Sequence, residues 1–157
     1  MRDFATKVLT ARGTSIFFVG QAGFIIKSSS GQLLAVDLYL SECVERIEGN
    51  TGFKRLLPHI LEPDELKYDV VICTHPHLDH FDIDSIPEMM GGSTKLFCSI
   101  DCEKLVKQLQ MEYHSSTITY VTSGDHHIVG DFDITFVNCD HGTGAPDAVG
   151  VVVKVDV

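Results

Sequence analysis

The hydrophobic residues of the chain fall in short runs that glycine, serine and charged residues separate. Near the amino terminus, the runs at 14–20, 23–28 and 32–37 predict three consecutive strands, because glycines and a serine-glycine turn interrupt them. The short spacing between these strands predicts an antiparallel meander. Residues 1–13 fit either a short helix or an edge strand.

The rest of the chain alternates between β-type and helical patterns. Residues 70–73 are apolar throughout, which predicts a strand that is covered on both faces. Helical spacing over 101–111 predicts an amphipathic helix capped by Asp101, and the residues from Phe81 onward predict the start of another helix. Later strands are predicted at 94–98, 117–121, 128–129, 131–137 and 148–157. This alternation favours an α/β (α+β) fold in which helices flank a sheet.

The segment 41–67 carries no clear period. Its glycines and prolines predict short helical or irregular pieces that lie over the sheet edge and line the mouth of a site. His59 within it is predicted to be an ordinary surface histidine. His126 and His127 are predicted to lie in a turn, outside any site.

The composition indicates one globular domain over residues 1–157, because 157 residues with 44% apolar content can bury a sizeable core. We expect a cytoplasmic protein without a membrane partner, since no apolar stretch is long enough to cross a bilayer and the amino terminus lacks a signal-peptide plan. The net charge of −10 disfavours nucleic-acid binding, which needs clusters of basic residues. Acidic residues such as Asp82 and Asp84 are predicted to be solvated.

Five cysteines, at positions 43, 73, 98, 102 and 139, include no C-x-x-C pair. Their odd number and apolar surroundings predict free thiols rather than a disulfide framework. Cys139 lies two residues before His141. A core-facing strand position is favoured for it, and an approach to a metal site is the alternative.

Four side chains that can bind metal, those of His75, His77, Asp79 and His80, follow directly after the apolar run at 70–73. Open α/β sheets commonly place their sites at the carboxyl ends of strands. In an extended backbone, side chains two positions apart point to the same side, so His75 and His77 can face one ion. Imidazole and carboxylate groups are ligands of borderline divalent ions such as zinc. A lone histidine would carry little weight, but this cluster predicts a metal site.

The pattern His75-x-His77-x-Asp79-His80 resembles the H-x-H-x-D-H signature of the metallo-β-lactamase-fold hydrolases. The segments at 20–27, 34–41 and 140–152 are similar to those of the ascorbate-6-phosphate lactonase-like branch. The signature is more specific to the fold than these segments are to the branch. The resemblance implies an αββα sandwich made of two similar halves, of which this chain covers the first.

The resemblance also implies a ligand set. His75, His77 and His141 would bind the first of two metals, while Asp79 and His80 would contribute to the second. The remaining ligands of the second metal come from a later segment of the family that this chain does not contain. Zinc or manganese is the expected ion, and the same ligands accept iron.

Asp37 ends the third predicted strand, and in the family the acid at this place supports the metal loop from behind its ligands. An ordinary strand-end or helix-capping role is the alternative.

The implied reaction is the attack of a metal-bound hydroxide on a lactone, ester or phosphoester. Asp79 would orient the nucleophile and carry a proton, as the catalytic residue. We expect a small-molecule substrate, and an anionic one is compatible with the metal.

Other hypotheses stay open. The chain could be a non-catalytic metal-binding or assembly half-domain. A di-iron redox centre of the flavodiiron type is less favoured, because those proteins carry glutamate at the place of His77. A half-sandwich would expose one sheet face, so we expect a fragment of a longer protein, or else pairing with a complementing second half or a second copy in a homo-oligomer.

Overall fold

The computed structural model describes residues 2–111 and 117–156. Four α-helices, one 3-10 helix (Ile100–Cys102) and nine strands form the regular structure within those residues. In chain order they are α1 (Arg2–Thr10), β1 (Ser15–Phe18), β2 (Phe24–Lys27), β3 (Leu33–Val36), α2 (Cys43–Glu48), β4 (Val70–Cys73), α3 (Ile86–Met89), β5 (Lys95–Ser99), α4 (Glu103–Gln108), β6 (Ile118–Val121), β7 (His126–Val129), β8 (Phe132–Asn138) and β9 (Val149–Val155).

The larger sheet has six strands in the order β1-β2-β3-β4-β5-β6. The first three strands pair antiparallel, which confirms the predicted meander. From β3 to β6 the pairing is parallel, so the carboxyl ends of these strands meet at one edge. All four residues of β4 are buried, as its unbroken apolar pattern predicts.

The smaller sheet packs against one face of the larger one. It has three antiparallel strands in the order β7-β8-β9. Phe132, Ile134 and Phe136 of β8 are fully buried with Leu34 and Ile72 of the larger sheet. The opposite face of the larger sheet packs against α1, α3 and α4. The predicted α/β class is therefore confirmed, with a layer of helices and two sheets.

The amino-terminal segment, ambiguous in the sequence, is the helix α1. Lys27 holds its carboxyl end, since the buried amino group donates to the carbonyls of Val8, Leu9 and Ala11 at 3.1, 2.6 and 2.8 Å. These carbonyls have no partner within the helix, so the lysine satisfies them. Met1 lies outside the described residues, as does Val157 at the end of the last predicted strand.

Two helix predictions were wrong in their details. The helix expected from Phe81 begins only at Ile86 and is a single turn. The helix predicted over 101–111 consists of a 3-10 turn (Ile100–Cys102) followed by α4, which ends at Gln108, and Asp101 lies inside the 3-10 turn and does not cap the helix. Instead, Ser99 accepts a hydrogen bond from the backbone of Asp101, whose carboxylate accepts one from the backbone of Asp147.

The prediction of a turn at His126 and His127 was also wrong, because both residues belong to β7. The ring of His127 packs against Phe97, with 4.8 Å between the ring centroids, and His126 contacts Asp133 at 2.7 Å. Cys139 lies beyond the end of β8 and is partly exposed, so it is not a core-facing strand residue.

All five cysteines are free thiols. Among the residues that the structure describes, no helix combines the length and the apolar character that crossing a bilayer requires.

Candidate metal centre

Three loops at one edge of the sheets bring the predicted site residues together. The loop after β4 contains His75, His77, Asp79 and His80, and Asp37 directly follows the neighbouring strand β3. His141 lies in the loop between β8 and β9. The backbone of Val149 donates to the carbonyl of Thr74 at 3.1 Å, which ties the start of β9 to the histidine loop.

Asp37 organises the histidine loop. Its carboxylate accepts hydrogen bonds from the backbone and hydroxyl of Thr74 at 2.8 and 2.6 Å, and contacts Nδ1 of His80 at 3.0 Å. Asp37 also has a left-handed backbone, with a φ of 49°. A carboxylate that hydrogen-bonds a ligating histidine fixes its ring orientation. This supporting role is the one that the family resemblance implies.

His75 presents a buried nitrogen without a hydrogen-bond partner. Its Nδ1 lies 2.9 Å from the hydroxyl of Thr74. That hydroxyl donates its proton to Asp37, so it can only accept a hydrogen bond from a protonated Nδ1 of His75. The lone pair of the neutral ring is then on Nε2. This Nε2 is buried and unpartnered. Burial, together with the charges of nearby histidines, lowers the pKa of His75 to about 4, so the ring is neutral at pH 7.

The three histidines predicted to share one metal form a cluster. One ring nitrogen from each of His75, His77 and His141 lies within 4.8 Å of the other two. The ring centroid of His75 lies 4.9 Å from that of His77 and 4.2 Å from that of His141. His75 is buried at the base, while the other two are exposed. The site is therefore open on one side, as a substrate-binding metal site requires.

His80 and Asp79 lie beside this cluster. The ring centroid of His80 is 4.2 Å from that of His75, and its Nε2 is 3.7 Å from Asp79. Burial lowers the pKa of His80, but the hydrogen bond and charge of Asp37 and the charge of Asp79 outweigh it, so the pKa is raised.

His80 and Asp79, which the resemblance assigns to a second metal, are near neighbours, and that assignment stays a prediction. Among the described residues, His80 groups with His75 and Asp37, and Asp79 does not join either three-residue cluster. Since the carboxylate of Asp37 already accepts hydrogen bonds on both oxygens, it orients His80 rather than offering a free ligand atom.

The prediction of a solvated Asp82 was wrong, whereas Asp84 is exposed as expected. Asp82 is fully buried, and its carboxylate accepts six hydrogen bonds. The donors are the backbones of Leu40, Ser41, Asp84 and Ser85 and the hydroxyls of Ser41 and Ser85. A sequence signal existed, because an acid shortly before a serine and an Ile-Pro pair is typical of a helix start.

A recess of about 290 Å³ opens onto the histidines. Val44, Glu48 and Phe53 line it, so the segment 41–67 forms part of the mouth, as predicted. A second recess, of about 420 Å³, shares Asp79 and His80 with the first.

The residues of the cluster fit a divalent metal ion. The buried, unpartnered Nε2 of His75 would leave a costly unsatisfied acceptor unless a ligand bound it. The nitrogen and oxygen donors nearby are those that zinc, manganese and iron accept.

The fold and the histidine cluster together define a metallo-β-lactamase-fold domain. The model of the beta-lactamase superfamily domain family matches residues 39–156, and the chain belongs to this family. A search of curated protein sequences gives no significant match.

Solved structures support the same fold. A possible metal-dependent hydrolase from Veillonella parvula is 19% identical over 92% of this chain and 59% of its own, with a TM-score of 0.59. CmlA, a diiron beta-hydroxylase from Streptomyces venezuelae, is 15% identical over 93% of this chain and 28% of its own, with a TM-score of 0.60. A metallo-beta-lactamase from Staphylococcus aureus is 14% identical over 92% of this chain and 39% of its own, with a TM-score of 0.51. The chain thus spans between 28% and 59% of the length of these three neighbours.

Proposed function

We propose that the chain carries the metal centre of a metal-dependent hydrolase that acts on a small ester, lactone or phosphoester. The observation that carries this proposal is the buried and unpartnered Nε2 of His75, which faces a cluster of further imidazoles. A neutral histidine held in one tautomer by a hydroxyl is prepared to bind a cation.

In this proposal His75, His77 and His141 hold one ion, and His80 offers Nε2 beside them. A bound divalent ion supplies Lewis-acid polarisation of a substrate oxygen and of water. Asp79 lines both recesses and lies 3.7 Å from His80, where it can accept a proton and orient the attacking water. Asp37 keeps His80 in place.

The finer parts of the hypothesis rest on the sequence resemblance. The ascorbate-6-phosphate lactonase-like branch, two metals in a complete site, and zinc or manganese as the ion are proposed on that basis. A cytoplasmic location is proposed separately, from the short apolar runs of the sequence. The ligands themselves accept iron as well.

The test combines metal content with turnover. Purified protein is loaded with Zn²⁺ or Mn²⁺, its metal is counted, and lactones, carboxylic esters and phosphodiesters are screened. We expect metal-dependent hydrolysis that His77→Ala abolishes. His126→Ala is the matched control, because it removes an exposed histidine that lies on β7 and pairs with Asp133. Turnover that survives without the metal would refute the proposal.

The second candidate is a metal-binding half-domain without activity of its own. The observation in its favour is that the chain spans 59% or less of the neighbours described above. In addition, Ile16, Phe18 and Phe24 of the first two strands are 68%, 56% and 46% exposed. Tight metal binding without turnover, followed by activity after addition of a complementing half or on forming a homo-oligomer, would favour this function.

A di-iron redox centre is the weakest alternative. CmlA, a diiron protein, shares the fold at 15% identity. A visible absorption band from bound iron would favour this function over hydrolysis.

A further inference from the structure

The recess beside the histidines has an apolar wall. Val44, Phe53 and Leu78 line it together with the imidazoles, and its volume of about 290 Å³ suits a small substituent such as a phenyl ring. Phe53 is 66% exposed. A ligand that covered this ring would remove apolar surface from water, which favours an apolar group at this position.

The charged side chains on this wall are acidic. Glu48 and Asp79 both line the recess, and none of the lining residues that the structure describes is lysine or arginine. An anionic substituent placed against this wall would be repelled by these two carboxylates, which is unfavourable.

The basic residues of the surrounding segment are already engaged. Arg46 pairs with Asp84 at 2.5 Å, and Lys54 lies 3.5 Å from Glu45. Arg55 is buried and donates to backbone carbonyls. None of these three side chains lines the recess, so none is available there to neutralise a phosphate or a carboxylate.

The second recess has the same character. Phe18 and Phe24 line it with their ring centroids 5.3 Å apart, and among its described lining residues the charged ones are acids and His80. It meets the first recess at Asp79 and His80, so a ligand held at the histidines can extend into either.

We propose that the site selects substrates whose group beside the scissile bond is apolar or aromatic and neutral or cationic. This inference rests on the proposed function and deepens it. It disfavours substrates that carry an anionic group beside the scissile bond, because the walls offer ring surface and acids where such a group needs cations.

The test uses hydroxamates, which bind metal through one common group while their tails differ. The zinc-loaded full chain is titrated calorimetrically with acetohydroxamate, benzohydroxamate, 4-carboxybenzohydroxamate and 4-(aminomethyl)benzohydroxamate. Each dissociation constant is divided by that of the same probe for free zinc. We expect the benzo compound to bind about tenfold more tightly than the aceto compound, from burial of the ring. The carboxylated probe is expected to bind more weakly than the neutral aryl probe.

Two variants connect the preference to the recess. Phe53→Ala should remove most of the advantage of the aryl tail and leave acetohydroxamate binding unchanged. Leu56→Ala is its matched control, because Leu56 is equally exposed at 68% and does not line the recess. Glu48→Lys should strengthen binding of the carboxylated probe, whereas Glu88→Lys makes the same charge change at the amino ends of β4 and β5 and should not.

The outcomes separate this inference from the function on which it rests. Equal binding of all tails, or tighter binding of the carboxylated probe by the unmodified protein, would overturn the inference while leaving the metal centre intact. Failure to bind zinc, or failure of every hydroxamate to bind the zinc-loaded chain, would overturn the proposed function and the inference with it.

Discussion

The two loops that supply the histidines are built differently. Two buried carboxylates hold the loop after β4. The carboxylate of Asp37 contacts Thr74 and His80, and that of Asp82 accepts hydrogen bonds from the turn that follows the loop. The loop after β8 is mostly exposed around His141, where the exposed carboxylate of Asp140 accepts a hydrogen bond from the backbone of Gly142 at 3.1 Å. Its tethers to the rest of the fold lie further along, at Asp147. One side of the site is therefore preorganised, and the other depends on a surface loop.

This difference predicts that the two loops lose different amounts of conformational entropy when the metal binds. A ligand on a rigid, hydrogen-bonded loop loses little conformational entropy when the ion binds, whereas an exposed loop must be ordered at that moment. We therefore expect substitutions of Asp37 and Asp82, which hold the loop after β4, to change the stability of the metal-free protein. Substitution of His141, in the loop after β8 (the second loop), should change only the metal affinity.

The largest effect on folding should come from Asp82→Ala. Six hydrogen bonds would lose their acceptor in a buried place, so we expect a loss of about 3 kcal/mol or more in the free energy of unfolding. Urea denaturation measures it. Asp84→Ala is the control, since its carboxylate is exposed and forms a surface ion pair with Arg46, which is worth less than about 1 kcal/mol. A similar loss in the free energy of unfolding of both variants would contradict the stabilising role of the buried Asp82 carboxylate.

Asp37→Ala should have the next largest effect. It removes the acceptor of Thr74 and the partner of His80, so we expect a loss of about 1 to 3 kcal/mol in stability. Zinc affinity, measured by competition with a chromogenic chelator, should fall by about 10- to 100-fold. Thr74→Val, which keeps the contact of the carboxylate with His80, should cost less. Unchanged zinc affinity in Asp37→Ala would contradict the orienting role.

The sequence predicted the parts of this site that depend on neighbouring residues. The apolar run before His75 identifies β4, and the spacing of the histidines identifies the loop, because both patterns lie within a few positions. The meander of the first three strands follows from its glycines in the same way.

The parts that were missed depend on partners far along the chain. The carboxylate of Asp82 also accepts hydrogen bonds from the backbones of Leu40 and Ser41, which lie 42 and 41 residues earlier. The local pattern that marks Asp82 as an acid at a helix start does not reveal these two distant partners. Similarly, Asp101 binds the backbone of Asp147 rather than capping its own helix. Such choices are decided by tertiary contacts, which override local propensity.

The pKa values of His75 and His80 report on the burial and hydrogen bonding of the loop after β4. In an NMR titration of the ring signals of the metal-free protein, the pKa of His75 should be about 4, and the pKa of His80 should be raised above the usual histidine value by the hydrogen bond and charge of Asp37. Because the folded pKa of His75 is lowered, the unfolded chain binds its proton first, and this residue's contribution to stability falls as the pH drops from 6.5 towards 4. The raised pKa of His80 acts in the opposite sense, since its contribution is present at low pH and is lost as the pH rises through that pKa. An ordinary titration of His75 would contradict its buried, neutral state.

His141→Ala should have the smallest effect on folding and is the sharpest test of the comparison. The side chain is exposed in a surface loop, so the free energy of unfolding of the metal-free protein should change by less than about 0.5 kcal/mol. Zinc affinity should nevertheless fall, because one of the three clustered imidazoles is gone. His126→Ala removes an exposed histidine from β7, outside the site, and should change neither the stability nor the zinc affinity by a comparable amount. If His141→Ala destabilised the metal-free chain as much as Asp37→Ala, the loop after β8 would contribute to the stability of the folded protein as much as the loop after β4 does. If it left zinc affinity unchanged, the metal would be held by the braced loop alone.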